Sequence, residues 1–214
     1  MILIGILGGV ASGKSEVSQR LRTLGAAVLD ADQVGHAVLR EPEVRRALEQ
    51  RWGPRILDAA GELDRRKIAE IVFAGTPESQ AELTFLEGLT HPRIGRRLES
   101  QLAQWQRAGV PAAVLDAPVM LKAGWDRLCQ WIIFVDVPRP VRLARARQRG
   151  WTEAEFAARE AAQEPLEYKR SRADLTIDNA ATLEQLSAQV DRFWQNLMED
   201  ACRPPEHRNL DLRN

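Results

Sequence analysis

Gly8-Gly9-Val10-Ala11-Ser12-Gly13-Lys14-Ser15 closes a glycine-rich run on a lysine and a hydroxyl, the spacing G-x-x-x-x-G-K-[ST]. The apolar run Ile2-Leu3-Ile4-Gly5-Ile6-Leu7 precedes it, and Val17, Leu21 and Leu24 recur on one helical face after it. Strand, tight turn and helix form the setting this pattern needs to hold a phosphate chain. Glycines let the backbone turn its N–H groups inward, and the helix adds its positive end. In such a loop Lys14 reaches β- and γ-phosphates and the Ser15 hydroxyl can ligate Mg²⁺.

Four more short apolar runs follow: Ala27–Leu29, Ala112–Leu115, Trp131–Val135 and Leu175–Ile177. All are continuous rather than alternating, as in a parallel sheet covered on both faces. Helical periodicity falls at 15–24, 32–51 with a break near Pro42, 64–74, 77–88, 92–108, 139–149, 152–170 and 182–198. Strands alternating with helices predict a doubly wound three-layer α/β sandwich. One domain over 1–198 is expected, with its core in about 1–31, 111–149 and 173–198. A helical insertion over about 32–110 and a small lid over about 150–172 complete it. Residues 199–214, with Pro204-Pro205, read as a flexible tail.

The 214 residues carry 30 basic and 30 acidic side chains, a formal net charge of zero, so no general attraction to nucleic acid or membrane is implied. Cys129 and Cys202 make neither a disulfide framework nor a metal spacing. No run is long enough to span a membrane, and the short apolar start lacks a basic leader. A cytoplasmic monomer is the expectation.

Three further features carry chemistry. Asp30-Ala31-Asp32 ends the second strand, where open parallel sheets place their ligand crevice. Asp32 there either accepts a proton from an attacking hydroxyl or caps the next helix; position alone leaves both readings open. Arg142, Arg145 and Arg149 share a helix face, with further arginines at 159, 170 and 172. Guanidinium groups suit a transferring phosphoryl group, while Glu153, Glu155, Glu160, Glu164 and Glu167 could neutralise a solvated face. The first reading is adopted for at least one of Arg145 and Arg149. His91-Pro92 opens a helix in the insertion, where a histidine caps or packs more often than it binds. Asp116 ends the third strand, and either holds Mg²⁺ through water or caps the turn at Pro118. Asp58-Ala59-Ala60-Gly61 imitates a GTPase switch, but no N-K-x-D or T-K-x-D segment accompanies it.

Beyond the loop, the chain resembles the dephospho-coenzyme A kinases over residues 2–198. Gly5 to Ser15 is similar to that family's G-L-T-G-G-I-G-S-G-K-S, and Leu24 to Asp32 to its L-G-x-x-V-I-D-A-D. Gly61-Glu62-Leu63-Asp64-Arg65 resembles G-x-L-D-R, and Ile71-Val72-Phe73 and His91-Pro92 follow in order. So do Arg145, Arg149-Gly150, Gln163, Ala173-Asp174 and Ile177-Asp178-Asn179. Two positions depart: Lys122 stands where the family is acidic, and Glu16 where threonine is common. The resemblance implies a P-loop kinase fold with a five-stranded parallel sheet, a helical substrate-binding insertion and a lid. It implies phosphorylation of the ribose 3′-hydroxyl of dephospho-CoA by ATP with Mg²⁺, the last step of coenzyme A synthesis. ATP phosphates would lie on Ala11, Ser12, Gly13, Lys14, Ser15 and Glu16, with Ser15 on the metal and Asn179 near the adenine. Asp32 would be the base, Arg145 and Arg149 would neutralise charge, and His91 would help hold the acceptor. A nucleoside or nucleotide kinase of the same fold, and a non-catalytic nucleotide-binding regulator, are the alternatives.

Overall fold

The computed structural model describes residues 1–202. Its strands are β1 (Ile2–Gly8), β2 (Ala27–Asp30), β3 (Ala112–Asp116), β4 (Trp131–Asp136) and β5 (Leu175–Asp178). They form one sheet in the order β2-β3-β1-β4-β5. The pairings of β1 with β3, β1 with β4 and β4 with β5 are parallel. Each strand runs one residue past its apolar run, onto Gly8 or an aspartate, because a strand's carboxyl end faces the crevice rather than the core. Strands β3 and β4 flank β1 on opposite sides, so the crevice lies beyond Gly8, where the glycine loop begins.

The helices are α1 (Lys14–Thr23), α2 (Ala31–Leu39), α3 (Pro42–Trp52), α4 (Arg65–Val72), α5 (Pro77–Arg107), α6 (Arg139–Gln148), α7 (Glu153–Ala161), α8 (Leu166–Ser171) and α9 (Leu183–Cys202). The chain divides into two compact units, Met1–Leu29 with Trp105–Asn214, and Asp30–Gln104. In the first, α1 and α9 cover one sheet face through Val17, Leu21, Leu186, Val190 and Phe193 against Ile4, Ile6, Val114 and Ile133. A bidentate pair from Arg20 to Asp191, at 2.6 Å on both arms, ties α1 to α9. On α8, Arg170 stacks over Phe134 of β4 and reaches Asp136 at 2.8 Å.

The second unit is helical. Val38, Val44, Leu48, Trp52, Ile56, Ile68, Val72, Ile94 and Leu98 are buried in it. The expected helices at 77–88 and 92–108 are one helix, α5, with Pro92 inside. The apolar stripe that includes Ile94 and Leu98 holds it together, while Thr90 Oγ1 donates to Leu86 O and Arg93 Nη1 to Leu89 O. His91 therefore lies in mid-helix rather than at a helix start. The expected helix at 152–170 is two, α7 and α8, because Pro165 caps the second. Helix α9 runs four residues beyond the expected end at 198, and the expected tail from 203 onward lies outside the described residues. Among the described residues no helix is long and apolar enough to cross a membrane.

Candidate active site

The loop takes its shape from its backbone and from side chains packed behind it. Gly13 caps α1 in the left-handed region at φ 85°, and a Cβ there would strike the Asn179 amide. A Cβ on Gly9 would come within 2.9 Å of Arg142 Nη1. Ala11 also sits at positive φ, 58°, a conformation that costs an L-residue about 1 kcal/mol. Val10 and Ala11 are packed with Leu143, Ala146 and Phe156, so one small core joins the loop to α6 and α7. Burial of these methyl groups holds the strained loop in place.

Lys14 Nζ donates to the carbonyls of Gly8 at 3.3 Å and Gly9 at 3.0 Å. Burial, then the nearby Lys169, pushes its ammonium down to about 8; Arg142 and Arg149 add to the shift and Asp116 opposes it. Ser15 is exposed and its hydroxyl donates to Glu16 Oε2 at 3.1 Å. Ser12 Oγ, on a residue 1 % exposed, is a buried side-chain oxygen without a hydrogen-bond partner among the described residues. A phosphate chain would supply acceptors to it and to the loop N–H groups.

The three arginines of α6 do different things. Arg142 is buried, donates to the carbonyls of Val137 and Val10, and pairs with Glu160 of α7 at 2.6 Å. It is a strut between the loop and α7, in keeping with a phosphate role sought only among Arg145 and Arg149. Arg145 donates to Asn179 O at 2.7 Å and Ser12 O at 3.4 Å. Arg149 ends α6, is exposed, and is felt electrostatically at Lys14. Asn179 is 3 % exposed and spends its amide on Ser12 O at 2.9 Å, so its side chain braces the loop rather than facing a base. Leu183, the first residue of α9, is 66 % exposed. With Ser15, Glu16, Gln19 and Leu186 it lines a cleft of about 410 Å³.

In the second unit the capping question has an answer. Asp30, not Asp32, caps α2, accepting from Gln33 N at 3.0 Å. Asp32 is left with a carboxyl raised above its ordinary range, first by desolvation and then by Asp30, against the pull of His36 and Arg65. His36, Arg40 and Arg65 line a cavity of about 300 Å³ with Arg45, Asp58 and Glu62. His91 is half-buried one turn before Ile94, whose side chain lies beside Gly35 of α2. Asp58 accepts from the N–H groups of Ala60 and Glu62, so it builds its own turn and has no switch geometry. Lys122 is exposed on the turn after β3.

Sequence reasoning missed Lys169, which is 2 % exposed; Asp116, which it did single out, is half-buried at the end of β3 and felt at Lys14. A lysine in the polar run Leu166-Glu167-Tyr168-Lys169-Arg170 carries no local signal of burial. For Asp116 the signal was its place at a strand's carboxyl end.

The family profile of dephospho-CoA kinase matches residues 2–185. A dephospho-CoA kinase of Symbiobacterium thermophilum is 39% identical over 198 residues, 91% of this chain and 81% of the relative. One from Geobacter sulfurreducens is 39% identical over 197 residues, 91% and 98% of the two chains. A crystal structure from Thermus thermophilus superposes with TM-score 0.77 at 33% identity, covering 92% and 97%. The dephospho-CoA kinase of Campylobacter jejuni shares the fold with TM-score 0.69 at 23% identity, over 92% and 97%. A profile match across most of the described chain, joined to relatives at this identity, places the protein: it belongs to the dephospho-CoA kinase family.

Proposed function

We propose that the protein transfers the γ-phosphoryl group of ATP to the ribose 3′-hydroxyl of dephospho-CoA, releasing CoA and ADP. The observation that carries this is the glycine loop with its half-buried Lys14, in a chain of this family. A bond forms between the 3′-oxygen and γ-phosphorus as the bond to the β,γ-bridging oxygen breaks. Asp32 takes the hydroxyl proton. Its raised carboxyl is a better base than an ordinary aspartate, and Asp30 relieves it of capping.

The loop N–H groups hold the phosphates, and Lys14 exchanges the Gly8 and Gly9 carbonyls for β- and γ-oxygens. The oxygen donors Ser15 and Asp116 fit Mg²⁺, which takes one or two protein ligands and completes its shell with phosphates and water. When bound, that ion neutralises phosphate charge. Arg145 fixes the loop against Asn179, just past the end of β5, and Arg149 adds positive field to the leaving phosphates. Leu183 offers an apolar wall to the adenine. The acceptor's diphosphate suits the His36, Arg40 and Arg65 cavity, with His91 nearby on α5.

Turnover with dephospho-CoA, nucleosides, nucleotides and shikimate tests the reading. Dephospho-CoA should exceed every other acceptor in kcat/KM by at least a hundredfold. Faster phosphorylation of a nucleoside, or nucleotide binding without transfer to any of them, would replace it.

A further inference from the structure

The chain has four lysines, and two of them converge at the phosphate loop. Lys169 stands on α8, which packs on β1, the strand that leads into the loop. Its side chain is buried, and its Nζ donates to Gln163 Oε1 at 2.7 Å, a neutral amide oxygen. Glu164 is the charge that Lys169 feels most, yet burial still disfavours its ammonium, whose three donors can take further acceptors. Lys14 feels Lys169 more than any other charge, and Arg170, next to Lys169 on α8, reaches Asp136 at the carboxyl end of β4 at 2.8 Å, which sets α8 at the loop's end of the sheet. Arg142, the other buried cation there, is already committed to Glu160 and to the carbonyls of Val137 and Val10. Lys14, Lys169 and Arg142 outnumber the two carboxylates felt there, Asp116 at Lys14 and Glu164 at Lys169, and a net positive pocket suits a polyanion.

We propose that Lys169 is a second phosphate-binding cation of the transfer site, its remaining N–H donors meeting the γ-phosphoryl oxygens while Gln163 aims it. The loop N–H groups wrap the inner phosphates, so a cation beside Lys14 meets the outer one, the end with fewest backbone donors. Charge in the transition state spreads over three γ-oxygens, and two ammonium groups cover more of them than one. Lys169 is thus a catalytic residue and Gln163 a positioning residue. The inference rests on the reading of the site as an ATP-dependent kinase.

The test is Lys169→Met, nearly the same length and uncharged, titrated calorimetrically with ATP and with ADP in the absence of acceptor. ATP should bind at least tenfold more weakly and ADP within twofold of the parent, with kcat for dephospho-CoA down at least a hundredfold. Lys169→Arg should keep a preference for ATP over ADP and part of kcat. The melting temperature of Lys169→Met should not fall, because an apolar group replaces a buried charge. Equal weakening of ATP and ADP, or retained kcat, would overturn the proposal and leave Lys169 a packing residue. If Lys169→Met does not fold, Gln163→Leu serves: a severalfold loss for ATP but not ADP supports the proposal, and unchanged binding of both overturns it. A parent enzyme that binds ATP but phosphorylates no dephospho-CoA would defeat the kinase reading, while the ATP-versus-ADP comparison would still judge Lys169.

Discussion

Lys14 binds phosphate only as an ammonium, and its surroundings bring its loss of a proton down to about 8. ATP affinity should therefore fall as pH rises through that value. Between pH 7.5 and 9.5 the phosphates of ATP stay fully ionised, since their last ionisation lies near 6. Over that window the protonated fraction of Lys14 drops from about three-quarters to about 3 %, a loss of about 25-fold in affinity or about 1.9 kcal/mol. Bound phosphate raises the lysine's pKa, so binding at pH 8 should take up about half a proton. Calorimetric titrations of ATP in two buffers of different ionisation enthalpy read both quantities, and Lys14→Met, measured alongside, should show neither dependence. The same shift bears on stability. The folded value lies below the unfolded 10.5, so the penalty is fully present below about pH 8 and disappears above 10.5. Lys14→Met should accordingly lose turnover yet melt higher than the parent at pH 7, by up to about 3 kcal/mol of stability before allowance for the half-exposed side chain. ATP affinity that does not change with pH from 7.5 to 9.5 would refute the argument.

Other outcomes follow from the same geometry. Asp32→Asn should lower kcat by 100-fold or more with little change in melting temperature or in KM for ATP. Asp30→Ala should instead cost about 1 kcal/mol of stability through the lost cap, and the reverse pattern would return Asp32 to a capping role. Because the Asp32 carboxyl is raised, the acid limb of kcat/KM for dephospho-CoA should lie above the ordinary aspartate range, and Asp32→Asn should remove it. Phe156 is fully buried in the core shared by loop, α6 and α7; Phe156→Ala should cost about 3–5 kcal/mol and weaken ATP binding, as unfolding curves and titration would read. Burial, with Asp126 and Asp174 nearby, pushes the Cys129 thiol up to about 12, so iodoacetamide at pH 8 should leave it unmodified in the folded chain.

Much of this molecule is legible in its residue order, and the limits have physical causes. The glycine loop could be read because its function is local: neighbours in sequence make the turn, the cradle and the helix start. Strands could be read from continuous apolar runs, though Asp30, Asp116, Asp136 and Asp178 extend them by a polar residue such runs cannot announce. Pro92 misled the reading of α5 because tertiary burial of Ile94 and Leu98 outweighs a proline's local penalty. Asp30 and Asp32 compete for one cap, and only backbone geometry separates them. Arg142 and Asn179 act across 132 and 167 positions of chain in contacts that no local pattern encodes, and Lys169 is felt electrostatically at Lys14 across a comparable separation.

The central claim is transfer of phosphate from ATP to one hydroxyl of one acceptor. Phosphorus NMR of the enzyme with ATP, Mg²⁺ and dephospho-CoA measures it directly. The account predicts a new phosphomonoester on the ribose 3′-oxygen, growing in step with ADP and absent with Lys14→Met. ADP accumulating without that ester, or an ester on another hydroxyl, would contradict it.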